Sequence, residues 1–252
     1  MRILSLNVNN FGGIEEKPRY DEYKDDYLKL DSFRNDSKRI PVANNIVERI
    51  GTYQPDIIIM HEFDMNSPAG NYVITELENL SYYEVYPDNK EKNDYKKKRA
   101  SSITLIFVME KGKKSNNSPT NLEKKLRWNH IIYLDYVIIG IHVPYDIHFW
   151  NEMIIFYETN KNKKLIYIGD MNVYDPKTDR RERFDNLLRC GATDAWVERR
   201  YPNDTPTFSG ATRIDYALMS PSAIKCLNGI NIDSVFRERN LSDHSAVIVD
   251  MI

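Results

Sequence analysis

Residues 165–172 read Leu-Ile-Tyr-Ile-Gly-Asp-Met-Asn, and the fold turns on how this octet is taken. Four apolar or aromatic residues in a row, two of them β-branched, make a strand with no polar face, the pattern of a strand covered on both sides. Gly169, Asp170 and Asn172 then close the strand with turn chemistry. The same pattern recurs along the chain. Ile57-Ile58-Ile59-Met60 runs directly into His61-Glu62, and Val137-Ile138-Ile139-Gly140-Ile141 into His142. An opening strand over 3–8 carries Asn7 near its end, Asp215 opens a run to Met219, and Asp243-His244 stand just before the run at 246–251. Polar residues at the ends of buried strands lie at the rim of a core, where several strands can bring them together.

Further strands are expected over 82–86, 102–109, 130–134 and 230–236. Helices are expected over about 42–50, where Ile46, Val47 and Ile50 share a face, and over 73–80, 149–160 and 181–190. The connections around 130–145 are too short for crossover helices, so antiparallel pairing is expected there. Two packed sheets with helices outside would bury this much apolar strand. The reading is a single domain over 1–252, with a charged, tyrosine-rich insertion at about 14–40. Cys190 is expected to be a buried apolar residue. No metal spacing links it to Cys226, and a disulfide framework is not expected.

Lysine and arginine number 35 against 37 acids, for a net charge of −2 and a pI near 6.2. A protein that coats nucleic acid would be basic. An enzyme that holds one phosphodiester needs only a local positive site, which a metal ion can supply. The apolar stretch at the N-terminus is too short and interrupted for a signal peptide, and no run approaches a membrane span. The expectation is a cytoplasmic, monomeric protein with no membrane association and no obligate protein partner.

Each polar strand end is weak evidence alone: an acid there is ordinary loop chemistry, and a lone histidine is more often structural than catalytic. Their joint order is informative. Asn7, His61-Glu62, Gly140-Ile141-His142-Val143-Pro144, Gly169-Asp170-Met171-Asn172, Arg213-Ile214-Asp215-Tyr216 and Ser242-Asp243-His244 resemble the motifs of the endonuclease/exonuclease/phosphatase superfamily, to which deoxyribonuclease I belongs. The stretch at 184–196 and Thr205-Pro206-Thr207-Phe208 are also similar to the region between the later motifs.

The resemblance implies an α/β fold: a four-layer α/β/β/α sandwich with two central, mostly antiparallel β-sheets and the site at one edge. It implies Mg²⁺, with Mn²⁺ as a substitute, held by Glu62 and supported by Asn7 and Asp243. A hard cation of this kind takes carboxylate oxygen and keeps positions for water and phosphate. Asp170 would orient or deprotonate the attacking water, and Asn172 would bond a phosphate oxygen or the nucleophile. His244, with Asp215 holding its ring, would contact the phosphoryl oxygens. His142 would be a second imidazole there, stabilising the phosphate or protonating the leaving group. Substrate would thus be bound through Asn172, His142 and His244. Many members carry glutamine where this chain has His61, which reads as a structural neighbour ahead of a functional one.

The implied function is a metal-dependent phosphodiester hydrolase, a nuclease acting on DNA or RNA. The alternative is a phosphatase or phosphodiesterase acting on a lipid headgroup, an inositol phosphate or a nucleotide. An inactive binding module ranks below both, because no core position is missing. Lipid-acting members bring a hydrophobic loop and inositol phosphatases a dense basic pocket, and neither is evident. His142 weakens an abasic-site reading, since apurinic endonucleases usually place another aromatic or polar residue there. The basic run Lys96-Lys97-Lys98-Arg99, and Arg180-Arg181, read first as solvated charge. The tyrosines of 20–27 offer a lid but no test of one.

Overall fold

The computed structural model describes all residues except 16–17, 19–21, 23–27, 98–101 and 175. The strands are β1 (Arg2–Asn7), β2 (Ile57–Phe63), β3 (Tyr83–Val85), β4 (Ile103–Val108), β5 (Trp128–Tyr133), β6 (Tyr136–His142), β7 (Lys164–Asp170), β8 (Thr193–Asp194), β9 (Asp215–Met219), β10 (Leu227–Asp233) and β11 (Ala246–Met251). They form one sheet in the order β10-β11-β1-β2-β4-β3 and another in the order β5-β6-β7-β9-β8. Pairing is antiparallel except for β1–β2 and β6–β7, so each sheet has a parallel pair at its centre. The longer helices are α1 (Arg39–Gly51), α2 (Pro68–Asn79), α3 (Ile147–Asn160) and α4 (Asp179–Arg189).

Side-chain alternation explains why the central strands have no polar face. Ile57 and Ile59 of β2 meet Ile138, Ile166 and Ile168 of the other sheet in a dry layer between the sheets. Ile58 and Met60 point the opposite way, against Ile46 and Ile50 of α1 and Val73 and Leu77 of α2. On the far side, Ile139, Ile141 and Tyr167 pack on Trp150 and Met153 of α3 and Leu187 of α4. The result is the α/β/β/α sandwich, and its central strands are buried on both faces.

Local chemistry moves several boundaries from their expected places. Helix α2 begins at Pro68 rather than near 73, because Ser67 Oγ accepts a 3.0 Å bond from Gly70 N and proline fits the first helical position. Helix α3 likewise starts at Ile147, where Asp146 Oδ1 accepts from His148 N at 2.9 Å. The strand expected over 230–236 stops at Asp233. There Asp233 Oδ1 accepts from Val235 N at 3.1 Å and the chain turns into a short helix at Val235–Glu238, taking Phe236 out of the sheet. Cys190 is half-buried rather than buried, and both cysteines are free. Among the described residues no helix is long and apolar enough to cross a membrane. Lys98, Arg99 and most of the 20–27 tyrosine segment lie outside the described residues.

Two glycines set how closely the sheets approach beside the site. A Cβ on Gly140 would lie 2.5 Å from Ile59 Cγ2 across the interface. A Cβ on Gly169 would lie 2.1 Å from Ile141 O and 2.5 Å from His61 Nε2, and Gly169 also has a φ of +140°. Gly169→Ala should therefore lower stability by about 3 kcal/mol, a large effect for one methyl group. The urea midpoint should fall with an unchanged m-value. A loss below about 1 kcal/mol would contradict this packing.

Candidate active site

The topology gathers the polar strand ends at one edge. In the first sheet Asn7 is the register partner of His61, and in the second Asp170 is the partner of both His142 and Asp215. Loops cross the same edge through Val8 N to His61 O (3.0 Å), Val143 N to Asp170 O (2.8 Å) and Met171 N to Ile214 O (2.8 Å). Ser242 Oγ donates to Asn7 O at 2.6 Å and accepts from His244 N at 3.0 Å, which ties the last loop to the first strand.

All eight residues singled out from the sequence join one network. Asp170, almost fully buried, is its centre. Its Oδ1 accepts from Asn172 N at 2.8 Å and its Oδ2 from Asn7 Nδ2 at 3.2 Å. That Oδ2 also lies 3.6 Å from His142 Nε2 and 3.9 Å from His244 Nε2. Glu62 faces it across the cleft, with Oε1 3.5 Å from His142 Nε2. His244 Nδ1 is 2.9 Å from Asp215 Oδ2, and Asp243 Oδ1 is 4.0 Å from His244 Nε2. The Asn172 side chain donates to Val143 O at 2.9 Å. Asn7 Oδ1 accepts from Asn9 N at 3.0 Å.

Backbone geometry aims these groups. The β2–β4 register shifts between Met60 and Phe63, and within this bulge Glu62 adopts a φ of +51°. A left-handed glutamate costs about 1–2 kcal/mol, and the bulge turns it toward the cleft. Asn172 has a φ of +52°, a region that asparagine tolerates. His61 points the other way, into the layer between the sheets. Its ring lies 2.9 Å from Ser5 Oγ and 3.2 Å from Thr104 Oγ1, and burial lowers its pKa to about 3. It is a neutral structural group, in keeping with the reading from the sequence.

The charges are strongly coupled. Burial pushes the Asp170 carboxyl up, and the charges of Asp215 and Glu62 add to this, against the pull of His244 and the Asn172 amide. Burial also raises Asp243, with Glu62 adding repulsion. For His244 burial acts downward, but Asp215, Asp170 and Asp243 outweigh it and raise the ring to about 10. A fixed imidazolium therefore stands beside a carboxylate that readily accepts a proton. That pairing can stabilise an oxyanion and take a proton from water.

The sequence did not reveal several neighbours. No acid was assigned to His142, yet both Glu62 and Asp170 face it. Arg127 Nη1 lies 3.3 Å from His142 Nε2, brought there by a short helical turn before β5. Asn10 Nδ2 donates to Glu62 Oε2 at 3.2 Å, while its buried Oδ1 has no partner among the described residues. Asn10 lies just beyond the strand expected over 3–8 and was not singled out. Arg127 and the cleft residues Tyr145 and Tyr174 carry no motif that would mark them. The cleft encloses about 420 Å³ between Glu62, Asp170, Asn172 and His244.

Fold and site together define an enzyme that acts on phosphate esters. A model of the Endonuclease/Exonuclease/phosphatase family matches residues 4–244, and the chain belongs to that family. Among solved structures it is similar to an AP endonuclease from Archaeoglobus fulgidus (14% identity, TM-score 0.71) and to a 3'-5' exonuclease from Neisseria meningitidis (18%, 0.66). It is also similar to an endonuclease/exonuclease/phosphatase family protein from Leptotrichia buccalis C-1013-b (16%, 0.63). Each comparison covers 100% of this chain and 99% of the other, and at these identities the likeness is one of fold. No curated protein matches the sequence.

Asp215→Asn removes the charge that most raises His244. In an NMR titration the His244 ring should then lose its proton at a lower pH than in the wild type, where Asp215 helps raise it to about 10. The sign for stability follows. The native ring holds its proton more tightly than the unfolded ring, so the contribution is full below about pH 6.5 and lost as pH rises through about 10. An unshifted ring in the variant would contradict the assignment.

Proposed function

We propose that the protein is a divalent-metal-dependent nuclease that hydrolyses phosphodiesters of DNA or RNA by attack of water on phosphorus. The observation that carries this reading is the placing of Asp170 between two imidazoles, 3.6 Å from His142 and 3.9 Å from His244. An anionic diester repels an incoming nucleophile, so positive groups and a base must meet at one phosphorus. The nucleic-acid reading is supported by the open cleft at the site. It is also supported by the described activities of the structural neighbours, an AP endonuclease, a 3'-5' exonuclease and a 3' phosphatase bound to product DNA.

The donor set suits Mg²⁺ or Mn²⁺. Glu62 adds to the cost of ionising the buried Asp243, and the orphaned Asn10 Oδ1 belongs to the side chain that donates to Glu62. Among the described residues no group of three or more His, Cys, Asp or Glu side chains is placed to hold a metal. A Mg²⁺ ion needs only one or two protein carboxylates, with water and substrate phosphate completing its shell. Glu62 would be the principal ligand, with Asp243, Asn7 and Asn10 in support. Bound there, the cation would supply positive charge to the phosphoryl oxygens and the departing oxygen.

The protein groups divide the remaining work. Asp170 takes a proton as the water oxygen bonds to phosphorus. His244, held as imidazolium by Asp215, receives the charge on a non-bridging oxygen. Asn172 and Asn7 fix Asp170. The P–O bond to the leaving group breaks and the departing oxygen takes a proton from solvent, while His142, whose Nε2 accepts from Arg127, stabilises the phosphoryl group. Arg127 positions the His142 ring.

Plasmid DNA, single-stranded DNA, RNA, abasic duplex, phosphorylated inositols and a generic phosphodiester should be assayed with Mg²⁺, Mn²⁺ and EDTA. Nucleic acid should be cut with metal and spared in EDTA. Glu62→Ala and Asp170→Asn should each lower kcat by at least about a hundredfold, with unchanged circular dichroism. Hydrolysis of inositol phosphates alone would reject the nuclease reading, and full activity of Glu62→Ala would reject the metal site.

A further inference from the structure

Beside the phosphate-binding groups, two tyrosines stand in the open. Tyr145 follows the turn after β6 and Tyr174 the turn after β7, so each is a few residues beyond a strand that supplies the site. Tyr145 is 67% exposed and Tyr174 51%. Both line the active-site cleft and also an adjoining groove of about 650 Å³, so cleft and groove form one trough.

Arg180, at the start of α4, braces the pair. Its guanidinium carbon lies 4.0 Å from the Tyr145 ring centre and 5.1 Å from that of Tyr174. Its Nη1 donates to Asn172 O at 3.0 Å, which fixes the assembly to a residue of the site. Core packing does not explain rings that remain this exposed. Cation–π contacts to an arginine anchored in the site do explain why they stay in place.

We propose that Tyr145, Tyr174 and Arg180 form a shelf on which a nucleobase next to the scissile phosphate stacks. The enzyme then selects single-stranded or locally unpaired nucleic acid. This rests on the nuclease reading and specifies its substrate. An aromatic face accepts any base, but only one free of its neighbours in a duplex, and such stacking is sequence-tolerant. Arg180 and Lys177, against the single acid Asp179, leave the same groove net positive, where a phosphate backbone would continue from the cleft.

The test varies substrate and enzyme together. Short single-stranded oligonucleotides are made with one base-free residue placed in turn at each position around the cleavage point. They are cut in Mg²⁺ or Mn²⁺ by the wild type, by Tyr145→Ala/Tyr174→Ala and by Tyr145→Phe/Tyr174→Phe. The wild type should prefer the intact strand by about tenfold in kcat/KM over the strand lacking the flanking base. The alanine double variant should bring that ratio near one, and the phenylalanine double variant should keep it. In EDTA, 2-aminopurine at the flanking position should be quenched on binding the wild type and much less on binding the alanine variant. Equal cleavage with and without the base, a preference for the base-free strand, or a ratio untouched by the alanine changes would overturn the shelf while leaving the nuclease reading standing. Failure to cut any nucleic acid with either metal would overturn both.

Discussion

The site depends on how closely two sheets can approach. His61 of β2 packs into the space left by the missing side chain of Gly169 on β7, while Ile59 fills the corresponding space at Gly140 on β6. The residues that follow His61 and Gly169 are Glu62 and Asp170. A contact inside the dry layer thereby fixes the separation of two carboxylates at its rim. Protein interiors are packed as densely as crystals, so this spacing is enforced by volume and not by the polar groups themselves.

Gathering several carboxylates at a buried edge is electrostatically unfavourable, and the structure offsets it in three ways. Amide donors from Asn7 and the Asn172 backbone neutralise Asp170 by hydrogen bonding. The Asp215–His244 pair places a lasting positive charge beside it. The remaining excess of negative charge lies on Glu62 and Asp243, on the more open side of the cleft. A cation held there, as proposed, would offset that imbalance and let an overall acidic chain take an anionic substrate.

Much of this was legible in the chain. Continuous apolar runs such as 57–60 and 165–168 marked doubly covered strands, and the polar residues just beyond them marked the rim. All eight residues drawn from those positions meet in one network. The misplaced boundaries have a common cause. A serine, an aspartate or a proline outside the periodic stretch captured a backbone amide or set a dihedral angle, as Ser67 and Asp233 do. Arg127, Asn10, Tyr145 and Tyr174 escaped notice because nothing in their local sequence distinguishes them from surface residues, and for the same reason Arg180 read only as solvated charge.

The sequence by itself determined which segments are buried strands, which side chains stand at their ends and in what order, and hence the fold class. Those properties are carried by alternation and by local turn chemistry, which act over a few residues. Only the tertiary structure decided which imidazole faces which carboxylate, that His61 is neutral and structural, and that two exposed tyrosines adjoin the cleft. Such facts depend on distances between residues far apart in the chain, such as His142 and Glu62 or Asp170 and His244. Those distances are set by sheet packing, and a one-dimensional pattern does not encode them locally.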